Sequence, residues 1–193
     1  MARPREFDLD TALDKAMQVF WAKGYEATSL DDLCEATSLG RSSLYAAFGD
    51  KRALLLQSLD RYIDRGATRV IKALADVPVR KGIANLLRAH IDEIVAGPGS
   101  RGCFVGNCTA ELARHDPEVL ARVSAVLERN EATFRAALSR AKASGELSAR
   151  TDAKATARFL VSNLQGLLLV GKTNPDRAVL NDIAKVILHC LDA

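Results

Sequence analysis

The stretch from Tyr25 to Lys51, YEATSLDDLCEATSLGRSSLYAAFGDK, holds two short helical patterns separated by a tight break. Ser29 is a good N-cap for the first, and Asp32, three residues on, completes a capping-box-like pair. Leu30, Leu33 and Cys34 then share one side. Thr37-Ser38-Leu39-Gly40 interrupts the pattern, and Arg41 to Ala47 resumes it with Leu44 and Phe48 facing inward. Gly49-Asp50 closes this second helix, and Asp50 can cap the next. Helices of about two turns are marginal in water by themselves. These two must pack on each other and on a third, which limits this part of the chain to a small helical bundle.

The second short helix suits a rod that enters a groove. Ser42, Ser43 and Ala46 keep its outer face small, and the two hydroxyls can bond to bases or phosphates. Arg41 at the helix start can reach a phosphate or a guanine edge, and Tyr45 offers a hydroxyl. Lys51 begins the following helix, whose N-terminal amides favour the same anion. Thr28 and Ser29 stand where a first helix would cross a nucleic-acid backbone. The expectation is a helix-turn-helix DNA reader using Thr28, Ser29, Arg41, Ser42, Ser43, Tyr45, Ala46 and Lys51. The same periodicity also fits a plain three-helix bundle with solvated polar residues. Arg3 and Arg5, flanking Pro4, form either a groove-binding arm or an ordinary basic tail.

Charge narrows the mode of binding. The chain carries a formal net charge of +3, but residues 1–52 hold seven Lys/Arg against nine Asp/Glu, a net of −2. A DNA reader of this composition works through locally placed cations and helix N-termini, not through a broad basic surface.

Beyond residue 50 the pattern is helix after helix, with no strand alternation and no internal repeat. A first amphipathic helix at about 9–23 precedes the opening motif and ends at Gly24. A long helix carries an apolar stripe from Leu55 to about residue 75, and Asp76-Val77-Pro78 ends it. A fifth helix holds Ile83, Leu86, Leu87, His90, Ile91 and Ile94. Residues 97–102 form a glycine-rich loop, and a short helix at about 103–114 follows. Asp116-Pro117 opens a helix to about Ser144, Asp152 opens another to about Val170, and a last one spans about 175–191. The expected fold is all-α with about nine helices. Residues 1–52 would form the DNA-binding domain and 53–193 an effector-binding and dimerisation domain, with the helix at about 50–75 linking the two.

In order and spacing, residues 10–62 resemble the N-terminal domain of TetR/AcrR-family transcriptional regulators. The resemblance rests on Phe20, Gly24-Tyr25, Thr28-Ser29, Leu39, Ser43-Leu44-Tyr45, Phe48 and Lys51 with Leu54 or Leu55. Gly40 departs from the family's usual capping serine, and Ala46 and Ala47 replace bulkier residues, so fewer side chains specify bases. The resemblance implies a homodimer on a palindromic double-stranded operator, usually as a repressor, released by a small effector in the C-terminal domain. It also implies a four-helix dimer interface from the last two helices, here Phe159, Leu160, Leu164, Leu167, Leu168, Leu180, Ile183 and Ile187. A fully buried central helix is the other reading of the apolar run at 159–170.

For an effector of largely apolar character, the candidate contacts are His90, Cys103, Phe104, Asn107, Cys108, Phe134 and Asn163. Cys103 would sit in the first turn of its helix, where the dipole and Arg101 would lower its pKa and favour an electrophile- or redox-sensing thiol. Both Cys103 and Cys108 also fit as small core residues. Their five-residue spacing suits no bridge within one helix, and the four cysteines match neither a disulfide scaffold nor a zinc site. His90, His115 and His189 are scattered, and no HExxH, CxxC or P-loop pattern occurs, so neither an enzyme nor a cofactor or metal is expected. An architectural DNA binder would not need so large a second domain. With no long apolar run and a charged N-terminus, a cytoplasmic protein without a membrane span is expected.

Overall fold

In the computed structural model, residues 8–97 and 101–192 are described. The arm with Arg3 and Arg5, and Pro98, Gly99 and Ser100 of the glycine-rich loop, lie outside the described residues. Among the described residues the chain forms nine α-helices and no strand. They are α1 (Leu9–Lys23), α2 (Leu30–Thr37), α3 (Arg41–Phe48), α4 (Lys51–Leu74), α5 (Val79–Ala96), α6 (Phe104–Leu112), α7 (Pro117–Ala143), α8 (Ala153–Thr173) and α9 (Arg177–His189). None is long and apolar enough to cross a membrane.

Local signals set most helix starts. The side chains of Asp8, Ser29, Asp50, Asp116, Asp152 and Asp176 each accept a backbone N–H in the first turn of the helix they precede. Ser29 and Asp32 complete the capping box in both directions. The last helix begins at Arg177, because Asp176 and not Asn174 supplies its cap. Gly40 places no side chain at the start of α3.

The helices α1, α2 and α3 close around Ala16, Phe20, Leu33, Leu44 and Phe48. The first turns of α4 complete this core with Leu54, Leu55 and Leu59. The far half of α4 contributes Ile63, Val70 and Leu74 to a second core, where it meets α5 and α7. There α7 packs on α8, and α9 closes against α5 and α8. Arg61 in α4 holds Asp14 and Asp10 of α1, and Arg65 reaches Asp14 at 2.8 Å. These partly exposed pairs fix the crossing of α1 on α4 more than they add stability.

A Cβ on Gly82 would stand 2.5 Å from the Ala73 carbonyl oxygen, so α4 and α5 approach closely only because residue 82 has no side chain. We expect Gly82→Ala to destabilise the protein by about 1–3 kcal/mol, measured as the urea midpoint; an unchanged midpoint would contradict this packing. His90 is pushed down to about 4 from 6.5, first by burial and then by Arg69, against an opposing pull from Glu93. The unfolded chain therefore binds the proton first as pH falls, and stability should decline between pH 6.5 and about 4. A His90→Leu variant should show a flatter pH dependence across that window in thermal denaturation; an equally steep curve would rule out His90 as its source.

Candidate nucleic-acid interface and its junction with the second domain

The candidate reading face is built on α3. Leu44 and Phe48 are buried, whereas Arg41, Ser42, Tyr45 and Ala46 are exposed and Ser43 is half-buried. The Ser38 backbone adopts the left-handed conformation between α2 and α3, and its N–H donates back to the Glu35 carbonyl. Leu39 is buried and pins the turn to the core. With Gly40 as N-cap, no side chain occupies the amide donors of the first turn of α3. Arg41 donates to Asp31 of α2 at 2.7 Å, an exposed pair that holds the guanidinium beside the turn.

Flanking groups are fixed from within the head. The Lys51 ammonium lies 4.3 Å from the centroid of the Tyr25 ring, a cation–π contact that orients it at the N-terminus of α4. Tyr25 in turn stacks on Phe20 at 6.1 Å between centroids. Ser29 is exposed, but its hydroxyl accepts the Asp32 N–H. The Thr28 expectation needs revision: this side chain is 1% exposed and donates to the Gly24 carbonyl, so its hydroxyl secures the turn instead of facing outward. A short hydroxyl two residues before α2 finds an acceptor in the preceding turn before it finds solvent.

The head is tied to the second domain at the α6 corner. Glu111 near the end of α6 accepts the backbone N–H of Tyr25 at 3.0 Å and of Glu26 at 2.8 Å. Gly24 has φ +84°, and a Cβ there would lie 3.0 Å from a Glu111 carboxylate oxygen. The positive φ favours glycine there, and a side chain would press on the Glu111 carboxylate. Arg52 donates to both oxygens of Asp116 at 2.7 and 2.9 Å and to Glu118 at 3.0 Å. Chiefly through Arg52, the Asp116 carboxyl is held down at about 2. The Trp21 indole N–H donates to the Gly102 carbonyl at 3.1 Å, and Trp21, Tyr62 and Phe104 meet edge to face. None of these long-range partners was foreseen from the sequence; the Glu111 contact spans 85 residues and has no local signature.

The expected effector residues do not form one group of free polar atoms. Phe104, Phe134 and Cys108 are buried in the core, and burial raises the Cys108 thiol to about 12. His90 lies 3.7 Å from Glu93. Asn163 donates to the Phe159 carbonyl in its own helix. Asn107 donates to the Arg101 carbonyl, accepts from Lys172, and lines an open cleft of about 360 Å3 with Trp21, Gly24 and Glu111. Cys103 is the N-cap of α6, not a residue of its first turn, and is nearly buried with the Tyr62 hydroxyl 3.9 Å from its sulfur. Arg101 turns away from it, toward Gln18 and the Trp21 ring. The charge expected to activate the thiol is directed elsewhere.

The expected dimer residues also divide. Leu160, Leu164, Leu167, Leu168, Leu180 and Ile187 are buried in the chain's own core, and Ile183 is half-buried. The outer face instead presents Phe159, Leu169 (66% exposed) and Val170 on α8, with Val179 and Val186 (67% exposed) on α9. Gly166 and Ser162 lie on the same exposed side of α8. A helix apolar on two faces gives no sequence signal for which is inner.

Several known proteins are similar to this chain. The model of bacterial regulatory proteins of the tetR family matches residues 12–57, and that of the tetracyclin repressor-like C-terminal domain matches residues 80–187. The uncharacterized HTH-type transcriptional regulator YezE of Bacillus subtilis is 32% identical over 194 residues, covering 100% of both chains. The HTH-type transcriptional repressor ComR of Escherichia coli is 35% identical over 190 residues, covering 97% of this chain and 90% of ComR. A cysteine mutant of the TetR family transcriptional regulator CifR, complexed with 26-bp double-strand operator DNA, superposes with a TM-score of 0.88 at 34% identity, covering 97% of this chain and 98% of CifR. These relatives are named as regulators of transcription. The chain belongs to the TetR family of DNA-binding transcriptional regulators.

Proposed function

We propose that the protein is a dimeric repressor that reads a palindromic operator with α3 and is released from it by a small effector. The observation that carries this reading is the exposed face of α3, with small side chains and Lys51 held beside it on Tyr25. The likeness to ComR, a repressor, and to operator-bound CifR supports it. Residues 1–52 serve as the reading domain and 53–193 as the regulatory domain of a cytoplasmic protein. Ser42, Ser43 and Ala46 approach base edges; Arg41, Tyr45, Ser29 and Lys51 hold the backbone, and Thr28 supports them from inside. Two heads about 34 Å apart enter successive major grooves. The exposed apolar face of α8 and α9 pairs with a second copy and sets that distance.

An effector that fills the space around Phe104 and Phe134 must displace α6 or α7, since both rings are already buried. It releases DNA to the extent that it binds the displaced packing better. Cys103 carries a second reading, as a thiol sensor. Its sulfur sits against Tyr62 where α4, α6 and the Trp21 ring meet, so an adduct there would wedge the junction. N-ethylmaleimide treatment should then lower operator affinity in the native chain but not in a Cys103→Ser variant; equal affinity before and after treatment of the native chain removes this reading.

The reading contacts are tested with a site selected from a random-sequence DNA library. Lys51→Ala should weaken binding on all sequences and lower the salt slope of log Kd by about one, whereas Ser42→Ala or Ser43→Ala should shift base preference. Unchanged affinity of Lys51→Ala at moderate salt would sink the Lys51 assignment. For the dimer, Leu169→Glu should yield a folded monomer in light scattering, while Leu164→Ala should cost about 2–5 kcal/mol of stability. A Leu169→Glu protein that remains dimeric would place the interface elsewhere.

A further inference from the structure

We infer that Glu111 is a positioning residue for DNA reading, acting from the regulatory domain through Tyr25 on Lys51. Its carboxylate accepts both turn amides, Tyr25 N–H at 3.0 Å and Glu26 N–H at 2.8 Å. Two bonds from one carboxylate to successive amides fix the path of the backbone that carries the Tyr25 ring. That ring in turn carries the Lys51 ammonium at 4.3 Å. A carboxylate in α6 thus sets the place of a cation at the start of α4 without touching it.

A second attachment lies beside the same cation. Arg52, next to Lys51 in sequence, is gripped by Asp116 at the start of α7. The corner between α6 and α7 therefore holds the head at two points next to Lys51, through the Tyr25 turn and through Arg52. Gly24 admits the Glu111 carboxylate where a Cβ would meet it at 3.0 Å. Tyr25 lies in the turn between α1 and α2 whereas Arg52 belongs to α4, so movement of this corner relative to α4 would shift the Tyr25 turn against the start of α4. The Tyr25 ring would leave the Lys51 ammonium, and a phosphate contact would be lost with no change in α3. The regulatory domain so acts on backbone affinity at one point of the head, separately from the spacing of two heads.

This rests on the assignment of Lys51 to the DNA backbone. The test is a double-mutant cycle on the full-length chain with a duplex carrying a library-selected site, read by fluorescence anisotropy from low to moderate salt. Glu111→Ala should weaken binding about tenfold and lower the salt slope by about one. In a Lys51→Ala background the same change should cost less than about twofold, because the contact it positions is already gone. Glu111→Gln keeps the shape and one acceptor oxygen; it should show a smaller loss with the same non-additivity, and it serves if the alanine variant does not fold. Full additivity with Lys51→Ala, or an unchanged affinity and slope for Glu111→Ala and Glu111→Gln, overturns the inference while leaving the Lys51 contact intact. Wild-type binding by Lys51→Ala alone removes the contact and the inference together.

Discussion

The structure depends on one shared element, the 24-residue helix α4. At 1.5 Å per residue it spans about 36 Å. Its first turns complete the core of the reading head through Leu54, Leu55 and Leu59, and its far half enters the regulatory core through Ile63, Val70 and Leu74. Neither core is closed without it. A packed interior tolerates little continuous deformation, so a helix built into two interiors moves as a rod. Displacement of its far end therefore appears at Lys51 and Arg52, where the helix begins.

A rod alone would let the head swivel about its axis. The pairs from Arg61 and Arg65 to Asp14 tie α1 along α4. The α6 corner adds Glu111 on the Tyr25 turn and Asp116 on Arg52, and Trp21 reaches the Gly102 carbonyl. These bonds join the head at several separate residues, so together they restrain rotation as well as tilt. The head is orientated by polar bonds at its margin and held in place by apolar burial at its centre.

The helices were legible in the sequence because their boundaries are local. Ser29 with Asp32, Asp50, Asp116 and Asp152 each mark a helix start by chemistry confined to one turn. The outward face of α3 was equally legible, since Leu44 and Phe48 fix its inner side. What the sequence lacked was phase and distance. On α8, Leu160, Leu164 and Leu168 alternate with Phe159, Leu169 and Val170, and apolar periodicity fits either set as the core. Thr28 looked outward until the Gly24 carbonyl supplied an acceptor. Arg101 looked like a neighbour of Cys103 by sequence, yet it extends to Gln18 in α1. The Glu111 bonds depend on a fold that brings together residues 85 and 86 positions apart.

The net charge of −2 over residues 1–52 bears on how such a protein searches a chromosome. Within these residues Lys23 is paired with Asp32 and Arg41 with Asp31, while Arg52 is held by Asp116. Among the described residues, Lys51 faces an aromatic ring instead. Binding to arbitrary DNA comes almost wholly from counterion release by unpaired cations. A head of this kind gains little from the vast excess of decoy sequence, so few molecules are sequestered there. Occupancy of the true site is then set more by the free concentration of the protein than by competition from other DNA.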